Sequence, residues 1–343
     1  MPPFAARIIG WQREHGRHAL PWQRTRDAYH IWLSEVMLQQ TQVATVLPYY
    51  ERFVSSFPDV RALALAPIDL VLQHWSGLGY YRRAHHLHAA AKTIVENHAG
   101  TFPRDVDAIA ALPGIGRSTA AAIAAFAFGT RAAILDGNVK RVLARHRGID
   151  GFPGAPPVER ALWTAAEAAL PDDDIERYTQ GMMDLGATVC TRTPACLVCP
   201  VNLDCVARIE GRIGDLPAPR PARSLPHREV RVLLIERGDA LLFERRPPTG
   251  VWSGLLSFPE IAVSADPLDA VRSRVGTDAT PGPALAPLTH TFTHFTLTLH
   301  PQRFALAHAP ALVQDSDRAW LTRAGALAAA LPAPIKRIVR SLA

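Results

Sequence analysis

The four cysteines of this 343-residue chain lie together in one short stretch, as Cys190, Cys196, Cys199 and Cys205 with the spacing C-x5-C-x2-C-x5-C. Disulfides of a secreted protein connect distant parts of a fold, whereas thiols this close in sequence are typical of a metal or iron–sulfur site. A zinc site usually has two separated C-x2-C pairs, and a ferredoxin has tighter spacing. The sequence therefore predicts a cysteine-ligated site in one loop that matches neither of those two patterns.

A second group of residues has the character of a phosphate site. Residues 112–116 read Leu-Pro-Gly-Ile-Gly and join two helical patterns. Gly114 and Gly116 let the backbone turn tightly, and the N–H groups that begin the next helix attract an anion such as a DNA phosphate. Taken alone, the run is equally compatible with a plain helix–helix turn. Asp136, twenty residues past Gly116, precedes a basic helix and would by itself be interpreted as an N-cap.

Helices must position these residues. Between residues 29 and 208, apolar residues recur at three- and four-residue intervals, and glycines lie near the ends of the helical stretches. Pro48 is expected to kink or break one of them. The predicted helices are Tyr29–Gln39, Gln42–Phe57, Ile68–Trp75, Arg82–His98, Arg117–Phe128, Asn138–Arg145, Glu159–Leu170 and Asp174–Cys190.

The C-terminal part, residues 229–343, has a different pattern. It follows a stretch rich in proline and arginine, 209–228, which reads as a linker that is either a spacer or a basic track along DNA. The period of hydrophobicity then changes to two, which predicts an α+β domain. A hairpin is predicted from Val230–Ile235 and Ala240–Arg245, one continuous strand over Thr289–His300, and helices over Leu268–Val275 and Ile335–Leu342.

Composition limits the class of protein. With 48% hydrophobic residues the chain can bury real cores, and its net charge of +6 is compatible with a nucleic-acid partner without requiring one. The apolar stretch Ala120–Phe128 is too short to cross a bilayer. Residues 1–10 lack the apolar region and cleavage site of a secretion signal. We therefore expect a cytoplasmic protein with no membrane partner.

Six further motifs, together with the cysteine spacing, indicate a family. They are Leu20–Trp22, Trp32–Gln42, Gly77–Tyr81, Leu112–Thr119, Ile134–Arg141 and Met183–Ala187. In these motifs the chain resembles the MutY-type adenine DNA glycosylases, relatives of endonuclease III, over nearly its whole length. The resemblance implies a mostly α, two-lobed helix-hairpin-helix glycosylase with a [4Fe–4S] cluster loop, followed by a small α+β Nudix-like domain. The expected divisions are one lobe of 1–21 with 129–208, a second lobe of 22–128, a linker at 209–228 and the Nudix-like domain at 229–343.

The resemblance also implies a reaction, which is base-excision repair of adenine mispaired with 8-oxoguanine or guanine in duplex DNA. Hydrolysis of the N-glycosidic bond needs an acid on the base side and a carboxylate on the sugar side. The family pattern assigns these roles to Glu35 and Asp136. Glu35 lies in an apolar helix, where burial raises a carboxyl pKa. Ser118 stands where lyase-competent relatives have a lysine, and because serine forms no Schiff base we expect a monofunctional glycosylase.

The remaining roles follow from the same resemblance. Tyr80 is expected to wedge into the base stack, and Gln40 to fill space near the flipped adenine. Trp22 and Gln180 are expected to line the adenine pocket, although Trp22 is equally compatible with core packing. Gly114, Gly116, Ser118 and Asn138 complete the DNA-binding set. The four cysteines are expected to hold the [4Fe–4S] cluster, with a first interval one residue shorter than is usual in the family. The partner is duplex DNA that contains an adenine mispair, and the protein is expected to be a monomer.

The C-terminal domain resembles a Nudix module in Gly254 and Glu260. The positions of the acidic metal-binding stretch are occupied by Leu268, Asp269, Arg272 and Ser273, so hydrolysis of nucleoside diphosphates is not expected. Recognition of 8-oxoguanine is assigned to Phe292-Thr293-His294, where the family usually has Phe-Ser-His.

Three alternatives stay open. An endonuclease III-like pyrimidine glycosylase and lyase is disfavoured by Ser118 and by the C-terminal domain. A glycosylase for mismatched thymine would not need an 8-oxoguanine module. A non-catalytic DNA-binding module is disfavoured because both carboxylates are present.

Overall fold

The computed structural model describes residues 2–221, 224–247, 249–306 and 317–342. Contacts divide the chain into two compact units, residues 1–66 with 86–222 and residues 67–85 with 223–343. The first unit is helical, and the second contains a mixed β-sheet with helices. The predicted fold class is therefore confirmed. The predicted lobe and linker boundaries stay predictions, and residues 222–223 of the linker lie outside the described residues.

The helices begin and end within a few residues of most predicted limits. Aspartate side chains accept backbone N–H bonds at the starts of several, for example Asp27 from Tyr29 N and Asp59 from Ala62 N. Across the described ranges, no helix combines the length and apolar character needed to cross a membrane. Up to residue 209 the helices are α1 Phe4–His15, α2 Ala28–Leu38, α3 Val43–Ser56, α4 Val60–Leu65, α5 Ile68–Trp75, α6 Arg82–Asn97, α7 Val106–Ala110, α8 Arg117–Phe128, α9 Gly137–Arg147, α10 Pro156–Ala168, α11 Ile175–Asp184 and α12 Val206–Ile209.

Two helices differ from the sequence prediction. α3 continues through Pro48, because Val46, Tyr50 and Phe53 are buried and their packing offsets the loss of one backbone hydrogen bond. The predicted helix Asp174–Cys190 ends early as α11, and its last turns widen into a π-helical turn at Leu185–Val189. The change from α-helical to π-helical hydrogen bonds leaves the spacing of apolar residues in the sequence unaltered, so hydrophobic periodicity could not predict the π-helical turn.

An alanine-rich helix forms the centre of the first unit. Every residue of Ala120–Ala125 in α8 is buried, and α8 contacts α2, α7 and α11. The small side chains let these helices approach closely. A second layer of packing joins α1, α9, α10 and α11, in which Ile8, Leu143 and Leu162 are fully buried. The burial of these side chains holds in place the helix ends that carry the candidate site.

The second unit is built on one sheet with the strand order β3-β2-β1-β7-β5. β1 and β7 pair in parallel, from His227 with Thr296 to Glu236 with Ala305. β1 is buried on both faces, because alternate residues enter two separate apolar cores, as expected of a central strand. The elements are β1 His227–Arg237, β2 Ala240–Arg245, β3 Leu256–Ser257, β4 Glu260–Ile261, α13 Pro267–Val275, β5 Ala279–Ala284, β6 Leu288–Thr291, β7 Thr296–Leu306, β8 Arg318–Thr322, α14 Arg323–Ala328 and α15 Ala333–Ser341.

Of the strand predictions, one is confirmed and one is wrong. β1 and β2 form the predicted hairpin, with Arg237 opposite Ala240. The segment Thr289–His300 is not a continuous strand. It is the hairpin of β6 and β7, in which Thr291 pairs with Thr296 and Phe292 N donates to Phe295 O at 2.8 Å. The turn lacks glycine, proline and asparagine, so the alternation continues through it without a turn signal.

Candidate active site

A cavity of about 290 Å³ lies inside the first unit. This volume is at the lower end of the range for small-molecule sites, roughly 300–1000 Å³, and suits a single planar group such as a nucleobase. Both apolar and polar side chains line the cavity, and the polar ones are called its polar wall. Its walls include the apolar Trp22, Leu38, Phe126 and Met183 and the polar Arg17, Ser34, Glu35 and Gln180.

Glu35 lies in the last turn of α2 and lines this cavity. Its helix neighbours Ser34, Val36 and Met37 are buried, so the backbone holds the carboxyl group in a largely buried part of α2. Burial, and next the negative charge of Asp136, raise the pKa of Glu35 to about 8 from an ordinary 4.5. The carboxyl is therefore mostly protonated at neutral pH and can act as an acid.

Asp136 is the N-cap of α9. Its Oδ1 accepts hydrogen bonds from Asn138 N at 2.7 Å and Val139 N at 2.8 Å, so the cap leaves Oδ2 available for other contacts. Burial raises the pKa of Asp136, whereas the two N–H bonds and the charges of Arg141 and Lys140 oppose that rise. The two carboxyls thus lie within electrostatic reach of each other in unlike surroundings, which favours one protonated and one ionised group.

Ser118 connects the glycine turn to the segment that contains Asp136. Its Oγ accepts a hydrogen bond from Leu135 N at 2.9 Å, directly before Asp136. Gly114 has φ +76°, and a Cβ there would lie 2.5 Å from the Cβ of His86, so both conformation and space require glycine. Gly116 is the N-cap of α8 and has no side chain to occupy the first-turn N–H groups. The turn has the geometry expected of a phosphate site.

The polar wall of the cavity depends on Asp184, for which no role was predicted. Asp184 is fully buried, and its carboxylate accepts hydrogen bonds from Arg17 Nε at 2.6 Å, Arg17 N at 2.9 Å and Gln180 Nε2 at 2.8 Å. Asp184 lies in the motif Met183–Ala187, which was a family signal without a function. No periodicity or spacing in the sequence links Arg17 to Asp184, 167 residues away.

Two arginines of α9 connect the helix of Asp136 to the cysteine loop. Arg141 donates to Cys190 O at 2.7 Å, Gly186 O at 2.6 Å and Asn138 Oδ1 at 2.8 Å. Arg145 is buried and donates to Thr191 O at 2.6 Å and to Cys190 Sγ at 3.5 Å. Asn138 is therefore placed by Arg141 at the first turn of α9, and the loop is held by the helix that Asp136 caps.

The four cysteines are half-buried free thiols in the first unit. Burial raises the pKa of the Cys199 thiol to about 11, and the charges of the other three cysteines add to the rise, so those three thiols lie within electrostatic range of Cys199. Backbone N–H groups of Val201, Ala207 and Arg208 bond to Cys199 or Cys205. In the described residues no three or more His, Cys, Asp or Glu side chains are arranged around a single metal ion.

Of the other predicted DNA-contact residues, Trp22 lines the cavity, and Gln40, Tyr80 and Phe292-Thr293-His294 do not. Gln40 follows α2, is exposed and has φ +56°. Tyr80 belongs to the second unit, is 49% exposed and has φ +50°. Phe292-Thr293-His294 forms the tip of the β6–β7 hairpin, with Thr293 and His294 exposed and Phe292 half-buried. Trp22 is buried, lines the cavity and lies edge-on to Tyr50 with ring centroids 5.2 Å apart, so both of its predicted roles have support.

The Nudix-like residues have no acidic cluster in the described structure. Glu260 forms an ion pair with Arg246, and Arg272 on α13 pairs with Asp278 at 2.7 Å. Ser273 Oγ donates to Ala270 O within the same helix. At the positions that the family resemblance assigns to the acidic Nudix stretch, the described structure thus has an arginine in an ion pair and a serine bonded within its own helix.

Comparison with known proteins agrees with this architecture. Residues 33–168 match the model of the HhH-GPD superfamily of base excision DNA repair proteins, and residues 231–341 match the NUDIX domain model. The adenine DNA glycosylase of Buchnera aphidicola subsp. Acyrthosiphon pisum is 32% identical over 340 residues, which cover 98% of this chain and 97% of that protein. The human adenine DNA glycosylase is 33% identical and matches 98% of this chain and 73% of its own length.

Solved structures share the helical part. A thermostable thymine-DNA glycosylase aligns with a TM-score of 0.55 at 29% identity, covering 60% of this chain and 95% of its own. An endonuclease III–DNA complex aligns with a TM-score of 0.51 at 21% identity, which supports the fold alone. Because its relatives match over nearly the full length and a superfamily model matches its helical part, the chain belongs to the adenine DNA glycosylases of base-excision repair.

Proposed function

We propose that this enzyme removes adenine opposite 8-oxoguanine or guanine in duplex DNA by hydrolysing the N-glycosidic bond, without cutting the strand. The observation that carries the proposal is the pair Glu35 and Asp136, in which one carboxyl at a base-sized cavity is held protonated beside a hydrogen-bonded second carboxyl. Cleavage of a glycosidic bond needs this combination of acid and anion.

The two carboxyls have different roles in the reaction. Glu35 lines the cavity that would receive the flipped adenine, and it donates its proton to a ring nitrogen so that the base leaves as a neutral molecule. Asp136 stabilises the positive charge that develops on the sugar as the bond breaks. Trp22 and Gln180 line the cavity and contact the base. Because Asp184 holds Gln180 and Arg17 in place, the polar wall is preorganised before DNA binds.

The DNA backbone and the distorted duplex are held by other residues. The turn with Gly114 and Gly116 at the start of α8 binds a phosphate through backbone N–H groups, and Asn138 supports the same region from α9. Tyr80 wedges into the base stack beside the lesion, and Gln40 fills space near the flipped adenine; both residues have positive φ. We expect the protein to act as a monomer on cytoplasmic DNA.

The base opposite adenine is read by the second unit. Phe292, Thr293 and His294 form an exposed hairpin tip, in which Thr293 supplies a hydroxyl and His294 a ring donor or acceptor for 8-oxoguanine. Arg272 and Ser273 stand at positions of the acidic Nudix stretch, so we expect this unit to read the lesion and not to hydrolyse nucleoside diphosphates.

The cysteine loop fits a [4Fe–4S] cluster. Four half-buried sulfurs lie near one another, and N–H groups from Val201, Ala207 and Arg208 point at two of them, as is common around cluster thiolates. Cys190, Cys196, Cys199 and Cys205 would ligate the four irons. The bound cluster would supply structural order to the loop, which Arg141 and Arg145 connect to α9.

Ser118 distinguishes this reaction from that of a lyase. A Schiff base with the sugar needs an amine, and Ser118 offers a hydroxyl that is already bonded to Leu135 N. The enzyme should therefore leave an intact strand with an abasic site.

A single-turnover assay on a duplex with one 8-oxoguanine:adenine pair tests the proposal. The wild-type protein and Glu35→Gln are compared with and without alkali treatment after the reaction. Strand breaks that appear only after alkali, and are lost in the variant, support a monofunctional adenine glycosylase. Breaks without alkali would show a lyase, and release of thymine from a guanine:thymine duplex in place of adenine would show a different substrate.

A further inference from the structure

The turn Gly250–Gly254 contacts the hairpin tip on one side. The ring centroid of Trp252 lies 5.4 Å from that of Phe292 and 5.9 Å from that of His290. Phe292 in turn stacks on the buried Phe295 at 4.6 Å. Thr293 and His294 follow Phe292 directly, so the ring of Trp252 supports the base of the exposed tip.

The same turn contacts the segment of Tyr80 on its other side. His85, five residues after Tyr80, donates from Nε2 to Ser253 O at 3.0 Å. Gly254 lies against that ring, because a Cβ there would be 3.0 Å from His85 Cε1. Gly254 O also accepts from Arg245 Nη1 at 2.9 Å, and the Arg245 guanidinium binds both carboxylate oxygens of Asp69 at 2.8 and 3.0 Å. The turn thus lies between two stretches that are distant in sequence but belong to one compact unit.

The backbone of the turn is unusual at Trp252. This bulky residue has φ +56°, a left-handed conformation that large side chains rarely adopt. Such a conformation persists only where the surrounding contacts hold it. Here the ring contacts with Phe292 and His290 and the hydrogen bond of Ser253 O with His85 hold both sides of the residue.

We propose that Trp252 is a positioning residue that holds the tip Phe292–His294 and the Tyr80 segment in one fixed arrangement, and that this arrangement sets the preference for 8-oxoguanine over guanine opposite adenine. The inference rests on the proposed function of the tip and of Tyr80. Trp252 acts through Phe292 on one side and through the Ser253–His85 hydrogen bond on the other. Loss of its ring affects recognition of the opposite base and leaves the chemistry at Glu35 unchanged.

The test compares Trp252→Ala with Trp252→Phe, which keeps a ring at the same backbone conformation. The measured quantity is the ratio of single-turnover rate constants on 8-oxoguanine:adenine and guanine:adenine duplexes. We expect Trp252→Ala to lower this ratio about tenfold with the guanine:adenine rate unchanged, and Trp252→Phe to stay within about twofold of wild type. An unchanged ratio in Trp252→Ala, or an equal loss in both variants, overturns the proposal.

Two further variants separate this inference from the proposed function. If Phe292→Ala leaves the ratio unchanged, the tip does not read the lesion, and both proposals fail. If Phe292→Ala lowers the ratio but Trp252→Ala does not, only the inference fails. His85→Ala lies on another element and remains informative where Trp252→Ala unfolds the second unit. His85→Ala should lower the ratio by itself. In the double variant with Trp252→Ala, the ratio should fall no further than in Trp252→Ala alone, because both residues act through the same turn. An unchanged ratio in His85→Ala, or effects that multiply in the double variant, overturns the link to the Tyr80 segment.

Discussion

Replacement of Glu35 by glutamine should abolish catalysis and stabilise the fold at the same time. Glutamine keeps the shape of the side chain but carries no proton to donate, so adenine release from an 8-oxoguanine:adenine duplex should fall by at least about 100-fold. The pKa of Glu35 is about 8 in the folded protein against 4.5 as its ordinary value. At about 1.4 kcal/mol per pH unit, the raised pKa of Glu35 lowers the free energy of unfolding by about 3 kcal/mol at pH 7, where the folded state must hold a proton that the unfolded state releases, and by about 5 kcal/mol above pH 8, where the buried carboxyl ionises.

The sign of this effect follows from proton binding. The folded state keeps the proton between pH 4.5 and about 8, whereas the unfolded state releases it, so this group's contribution to stability falls as pH rises through that window. Below pH 4.5 the side chain is protonated in both states and the difference disappears. The free energy of unfolding of Glu35→Gln should therefore equal that of wild type at pH 4 and exceed it progressively up to pH 8.

Urea unfolding from pH 4 to pH 9, together with single-turnover rates over the same range, checks both parts. The wild-type rate should fall about tenfold per pH unit above 8 as Glu35 loses its proton. Glu51→Gln, on the exposed side of α3, is the matched control and should change stability by less than about 0.5 kcal/mol at every pH. Equal stability of Glu35→Gln and wild type across this range would contradict the raised pKa. Full activity in the variant would contradict the acid role itself.

Three other substitutions test the remaining parts of the site. Asp136→Asn keeps an oxygen that can cap α9, so thermal stability should change little. Single-turnover activity should fall by about 100-fold or more, because the amide carries no negative charge. A variant that keeps a tenth of the activity would argue against the anionic role. Ser118→Ala leaves Leu135 N without its acceptor and should cost about 1–3 kcal/mol in urea unfolding, with Ser118→Thr as the control that keeps the hydroxyl. Asp184→Ala removes the buried partner of Arg17, so the free energy of unfolding should fall by about 3–5 kcal/mol and adenine excision should weaken. Retention of wild-type KM and stability would refute the role of Asp184 in positioning the polar wall.

Sequence patterns located most helices because local signals agree with packing there. The predicted limits of α5 and α8 match the structure at both ends, since an apolar stripe coincides with a start or stop signal such as Gly129, which ends α8 in a left-handed conformation. The strand β5 was missed because Pro281 and Pro283 argue against a strand. Both are tolerated because β5 lies at the end of the strand order and its pairing with β7 is irregular between Pro281 and Ala284.

The hairpin tip shows the opposite limit of pattern reasoning. Residues 289–300 alternate in polarity as a strand does, yet the chain reverses at Phe292–Phe295. Side chains from other parts of the chain stabilise the reversal. The ring of Trp252 contacts that of Phe292, and the guanidinium carbon of Arg228 lies 4.6 Å from the ring centroid of Phe295 in a cation–π contact. Such contacts depend on tertiary structure, so a local pattern cannot contain them.

The family resemblance assigns the two carboxyls their roles, and the apolar helix predicts a raised pKa for Glu35, but the mutual influence of the two groups depends on residues far apart in the chain. Glu35 ends an apolar helix and gains its high pKa from burial and from Asp136, 101 positions away. Burial raises the pKa of Asp136 as well, but the first turn of α9 offers it two N–H donors and the same helix offers the charges of Arg141 and Lys140, which oppose the rise. The proton therefore stays preferentially on Glu35, because the hydrogen bonds and nearby cations favour the ionised form of Asp136, and the negative charge of Asp136 in turn favours the protonated form of Glu35. A substitution in the first turn of α9 that moves the N–H groups of Asn138 and Val139 away from Asp136, and leaves both carboxyls in place, should therefore raise the pKa of Asp136. The shared proton would then shift toward Asp136, and the single-turnover rate should fall.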